Sequence, residues 1–124
     1  MKNKKTSEKG FTLIELIMVI VVLAILAIVA VPKFVDLSGD ANKAAEAGVV
    51  GGVRSGILTQ FAKNKAYPAA LDGAANGLCS KTNVCFTTVL DPGITEQWER
   101  VSATSYKGPT GTTYTYTPAT GSFQ

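Results

Sequence analysis

Histidine is absent from all 124 residues, which removes any His-dependent catalytic triad and any histidine-containing zinc site. No G-x-S-x-G, P-loop or H-E-x-x-H pattern is present either, so neither catalysis nor a cofactor or metal is expected. Beyond Glu99 there is no Asp or Glu, and no N-x-[ST] sequon occurs anywhere. The formal net charge of +3 at first suggests an anionic partner, but Lys2, Lys4, Lys5 and Lys9 against Glu8 place all of it in the first ten residues. The side chains from Phe11 onward sum to zero, and Lys63 with Lys65 is too small a cluster for a nucleic-acid partner.

What the chain does have is a long hydrophobic run. Residues 11–31 would span roughly 31 Å as a helix, close to the hydrocarbon thickness of a bilayer. From Leu16 to Val31 every residue is apolar, so this segment has no polar face and is not an ordinary amphipathic helix. A cleaved secretory signal would have a shorter apolar region followed by its cleavage site, whereas here the candidate junction, Gly10-Phe11, precedes the run. The lysine-rich end stays cytoplasmic by the positive-inside rule, and the remainder is sent across the membrane.

One carboxylate, Glu15, lies inside this run. A charge at the centre of a bilayer costs about 2.5–3.5 kcal/mol, less near an interface, so Glu15 needs a partner. Its own helix N-terminus offers about 0.3–1 kcal/mol. Cleavage after Gly10 would offer more, because the freed amine of Phe11, with an ordinary pKa of about 7.7–8.0, is mostly protonated at neutral pH.

The basic leader ending in Gly10, followed by FTLIELIMVIVVLAILAIVAVP, resembles the class III signal of type IV pilins and pseudopilins. The resemblance covers about the first 45 residues. It implies cleavage after Gly10 by a prepilin peptidase, N-methylation of Phe11, and a single-pass precursor in the bacterial inner membrane. The mature chain would then enter a helical homopolymer through the pilus assembly machinery, with Glu15 pairing to a neighbouring subunit's amine and Pro32 loosening the helix. Many pilins carry a glycine about eight residues before that proline, where this chain has Ala24. VPKFVDLSGDA and YTYTPATGSF are further similar to pilins of the mannose-sensitive haemagglutinin type. The competing assignment is a pseudopilin of a type II secretion system; the major pseudopilin resembles a calcium-binding head with acidic ligands in its last loops, and the lack of acids after Glu99 favours the pilus.

The expected fold class is α+β, a long N-terminal helix packed against a small antiparallel sheet. Its parts are a leader at 1–10, a hydrophobic helix at 11–35, an amphipathic half at 36–62, and a loop-and-sheet head at 63–124. Pro32 should kink or open the helix, and Ser38-Gly39-Asp40 is a second weak point, since Ser and Asp compete for backbone hydrogen bonds and Gly costs about 1 kcal/mol relative to Ala. Phe34, Leu37, Ala41, Ala45, Val50, Val53, Ile57 and Phe61 mark an apolar face, with Lys43, Glu46 and Arg54 between them. Ala44, Gly48, Gly52 and Gly56 form a groove that suits either a neighbouring subunit's helix or the chain's own head.

Within the head, Cys79 and Cys85 read as a small structural disulfide loop rather than a zinc or redox motif. By chain entropy such a loop adds about 2 kcal/mol. Strands are predicted at 85–90, 98–106, 112–117 and 122–123. Alternation sends Tyr114 and Tyr116 to one face and Thr113, Thr115 and Thr117 to the other. Trp98, Tyr106, Tyr114 and Tyr116 read as core rather than as a sugar platform.

Overall fold

The computed structural model describes residues 9–124. The leader expected at 1–10 therefore lies outside the described residues except for Lys9 and Gly10. One helix, α1, runs Leu13–Asn64, and five short strands follow: β1 Gly77–Leu78, β2 Glu99–Ser102, β3 Ser105–Lys107, β4 Thr113–Thr117 and β5 Ser122–Phe123. The sheet order is β1-β2-β3-β4-β5 with antiparallel neighbours throughout, a meander. The architecture is α+β and pilin-like. Contacts divide the chain into one unit ending at Ser38 and another beginning at Gly39.

In the first unit the large apolar side chains from Phe11 to Leu37 are all open, and the helix is long and apolar enough to cross a membrane. The helix remains α-helical at Pro32, which withholds one amide donor from it, and also through Ser38, Gly39 and Asp40. At the weak point 38–40, where a bend or break is expected from sequence, the α-helical hydrogen bonding continues without a break. Flanking alanines and the hydrogen-bonded turns on either side outweigh a cost of about 1 kcal/mol at a single glycine.

In the second unit α1 contributes Glu46, Val50, Val53 and Ile57 as its buried face, positions separated by four, three and four residues. The apolar face read from sequence is therefore corrected at its near end. Ala41 and Ala45 are exposed, and Glu46, expected between the apolar positions, is inside. Against this face pack Leu71, Phe86, Trp98, Tyr106, Tyr116 and Phe123. Phe86 sits among aromatic rings, 4.4 Å from Tyr106, 5.4 Å from Trp98 and 5.9 Å from Phe123 between centroids, and Phe61 stacks on Tyr67 at 4.5 Å. Edge-to-face and tilted pairs of this kind each add about 0.5–1.5 kcal/mol beyond area burial.

Three strand expectations are revised. The segment 85–90 is not a strand: Cys85 forms an isolated bridge with Ile94, and Phe86 has a φ of 61°. A left-handed aromatic residue costs about 1–2 kcal/mol, and a hydrogen bond from its N–H to Asp72 Oδ2 at 2.9 Å helps hold it there. The stretch 98–106 is two strands, since Ser102 pairs with Ser105 and the chain turns between them at residues 103–104; the register also shifts between Arg100 and Ser102. β1 lies in what reads as loop, because two residues give no periodicity. The β4 alternation matches its expectation: Tyr116 is buried and Tyr114 half-buried, while Thr113, Thr115 and Thr117 are exposed.

The glycines divide between two roles. A Cβ on Gly56 would run into the Val89 carbonyl, and one on Gly52 would touch Leu90 at 3.4 Å, so these two admit the head. Gly48 has nothing within 4 Å of a built Cβ.

Candidate processing and assembly site

Lys9, Gly10, Phe11 and Thr12 precede the helix in non-helical conformation, and Phe11 is 93% exposed. No atom lies within 4 Å of a Cβ built on Gly10, so nothing in the local packing demands a glycine there.

Helix α1 opens on a reciprocal cap. Thr12 N–H donates to Glu15 Oε2 at 2.8 Å, and Glu15 N–H donates to Thr12 Oγ1 at 3.4 Å. Thr12 is thus the N-cap and Glu15 the third helical residue of a capping box, which satisfies donors that the first turn otherwise leaves unpaired. Thr12 was missed by the sequence reading. Its signal, T-x-x-E directly before an apolar run, was there to be found. Only one carboxylate oxygen is used: Glu15 Oε1 accepts no hydrogen bond among the described residues. Pro32 lies 17 residues along the same helix, about 25 Å from Glu15 at 1.5 Å per residue, so the two do not form one site.

The head holds two buried carboxylates that the sequence reading did not single out. Glu46 Oε2 accepts from Thr110 N–H and Oε1 from the Tyr114 hydroxyl, both at 2.7 Å. Desolvation pushes the Glu46 carboxyl up, but the Thr110 and Tyr114 bonds outweigh it and leave the group below its ordinary value. The same contact, with burial second, raises the Tyr114 hydroxyl. Asp72, its side chain wholly buried, accepts from Phe86 N–H, from Ala74 N–H at 3.2 Å and from Arg100 Nε at 2.9 Å. Arg100 also donates to Asn76 Oδ1 at 2.6 Å. The buried Tyr106 hydroxyl finds no hydrogen-bond partner among the described residues, and burial, then the Asp72 charge, pushes its pKa up. Cys79 and Cys85 form a disulfide with Cα atoms 5.6 Å apart.

These head contacts position backbone and give no nucleophile beside a base. Each buried carboxylate is occupied by donors that hold one segment to another.

Residues 5–31 match the prokaryotic N-terminal methylation motif. No curated protein and no solved structure matches the chain significantly. The matched residues contain Gly10, Phe11, Thr12 and Glu15, and the motif with the long apolar helix and the sheet head supports a subunit of the type IV pilin or pseudopilin kind, structural rather than catalytic.

Proposed function

We propose that this chain is the structural subunit of a type IV pilus. In this reading residues 1–10 are a leader removed after Gly10, and Phe11 is N-methylated. Residues 11–35 are held first in the inner membrane and then in the filament core, residues 36–62 continue the helix, and residues 63–124 form the displayed head. A prepilin peptidase with methyltransferase activity and the assembly machinery are the partners before export, and further copies of the chain are the partners after it.

The carrying observation is the junction Gly10-Phe11 with Glu15 inside the matched motif. The capping geometry adds a physical route. Cleavage after Gly10 leaves the Thr12 N–H in place, so Oε2 of Glu15 stays with its own helix while Oε1 receives the charged amine of Phe11 on a neighbouring subunit. Such a pair removes the cost of a lone carboxylate in hydrocarbon and fixes the register of each added subunit. The lack of acidic residues after Glu99 supports the pilus over the pseudopilus, because a cation site in the last loops would lack charged oxygen ligands. The VPKFVDLSGDA and YTYTPATGSF similarities support a role in surface attachment.

Three measurements test this. Mass spectrometry of the native protein should find a chain beginning at methylated Phe11, and an intact Met1 terminus sinks the reading. Glu15→Val should be processed and inserted but should not polymerise; normal filaments from it remove the register role. Electron microscopy of sheared surface material should show long fibres containing this chain, whereas loss of secreted enzymes on deletion, without fibres, assigns a pseudopilus instead.

A further inference from the structure

Asparagine is a chemically labile side chain, and most so before glycine, where no side chain shields the next backbone nitrogen from the amide carbon. Asn3, Asn42, Asn64 and Asn83 precede Lys or Val, whereas Asn76 precedes Gly77. Asn76 is exposed, and Gly77 has a φ of 127° with no atom within 4 Å of a Cβ built on it. The approach to the Gly77 nitrogen is sterically open.

Both reacting groups are nevertheless held, and by the same residue. Cys79 N–H donates to Trp98 O at 2.8 Å, and in that register Gly77 lies opposite Arg100, so the alternation of antiparallel pairing makes Gly77 and Arg100 a hydrogen-bonded pair as well. The Gly77 N–H is therefore engaged by the Arg100 carbonyl. Asn76 Oδ1 accepts from Arg100 Nη1 at 2.6 Å, and the guanidinium is itself fixed by the bond from Nε to the buried Asp72 at 2.9 Å. Arg100 thus restrains the nucleophile through its backbone and the electrophile through its side chain.

We propose that Asn76-Gly77 is a self-deamidation site of the folded chain, gated by Arg100 and opened by local release of β1. On release the Gly77 nitrogen attacks Asn76 Cγ and gives up its proton; the Cγ–Nδ2 bond breaks, and ammonia leaves with that proton. Water then opens the cyclic imide at one of its two carbonyls, to aspartate or to isoaspartate, with no oxidant or reductant. β1 has two residues and one neighbouring strand, so its release is a local event and not unfolding of the head. Either product places a new carboxylate next to the Arg100 guanidinium. Isoaspartate also lengthens the backbone by one methylene directly before β1, which moves Gly77 out of register with Arg100. None of this rests on the pilus reading.

The test follows the full chain in detergent micelles during warm incubation at neutral pH. Peptide mass spectrometry reads amide-to-acid conversion at each asparagine, and enzymatic methylation counts isoaspartate. Conversion should occur at Asn76 ahead of every other asparagine, about ten- to a thousandfold more slowly in the native chain than in the urea-unfolded one. Urea below the unfolding transition should hardly change the native rate, because releasing two residues exposes little surface. Arg100→Lys keeps a cation for Asp72 but lacks the fork that also reaches Asn76, and should convert severalfold faster than the native chain. Its folding is verified by the near-ultraviolet dichroism of Trp98. An Asn76 that survives in the unfolded chain overturns the site. Equal rates in native and unfolded chains, or in native and folded Arg100→Lys chains, overturn the gate. A native chain that never converts, or whose rate climbs with urea in parallel with global unfolding, overturns the local release.

Discussion

Glu46 and Tyr114, 68 positions apart in the chain, meet at 2.7 Å through a carboxylate oxygen and a phenol hydroxyl. The second oxygen takes the Thr110 N–H, so one helical side chain clamps both the turn after β3 and the strand β4. A Cβ on Gly108 would come within 2.5 Å of Glu46 Oε2, which shows how closely that turn approaches the carboxylate.

Glu46→Ala should destabilise the head by about 1–3 kcal/mol, because it removes the charged acceptor of two part-buried hydrogen bonds, from the Thr110 N–H and the Tyr114 hydroxyl. Gly108→Ala should also destabilise, by displacing the same carboxylate. The two losses should not add: in the Glu46→Ala background the Gly108→Ala penalty should shrink markedly. Denaturant unfolding followed by Trp98 fluorescence measures the cycle, and full additivity refutes the clamp.

The acid limb of stability should carry the same signature. The Glu46 carboxyl is held below its ordinary value of 4.5, so as pH falls the unfolded chain takes up its proton first. The stabilisation is complete above the unfolded value and is lost as pH falls through the lower native one. Glu46→Gln should therefore flatten the pH dependence of the melting temperature on the acid side of about pH 4.5 and leave its slope near neutrality alone.

Asp72 and Tyr106 should respond in opposite ways. Asp72→Ala leaves Arg100, Phe86 N–H and Ala74 N–H without their acceptor and should cost about 3–5 kcal/mol. Tyr106→Phe removes a buried hydroxyl that bonds nothing among the described residues, and should be neutral or stabilising by up to about 1 kcal/mol. A Tyr106→Phe loss above 2 kcal/mol by thermal unfolding would show that the hydroxyl has a partner after all.

The glycines offer a paired comparison on one helix. Gly56→Ala drives a methyl into the Val89 carbonyl and should lower the melting temperature of the head. Gly48→Ala meets open space and should raise helix stability by about 0.5–1 kcal/mol in the isolated subunit. Calorimetry of both variants in detergent decides the matter.

The apolar run from Leu16 to Val31 and the motif that spans residues 5–31 were legible because each is local: composition and spacing within a few residues carry the information. The capping box was equally local and was overlooked. The paired roles of Gly52 and Gly56 against Gly48 were not legible, since one four-residue spacing fits both an inward and an outward face. The segment 85–90 looked like a strand from its side chains, yet Asp72, 14 residues before Phe86, draws the backbone into a left-handed turn.

The sequence by itself determined that one end of this chain is a long apolar helix and that the other is a small α+β head with a short disulfide loop. Tertiary structure alone decided that Glu46 is inside and which backbone groups it satisfies. It also decided that the Asn83 carboxamide meets the Leu78 carbonyl and that Arg54 Nε meets the Phe123 carbonyl. The physical reason is range. Helical and strand periods arise between neighbours a few residues apart, whereas a buried carboxylate is tolerated only if donors reach it, and those of Glu46 come from 64 and 68 residues away.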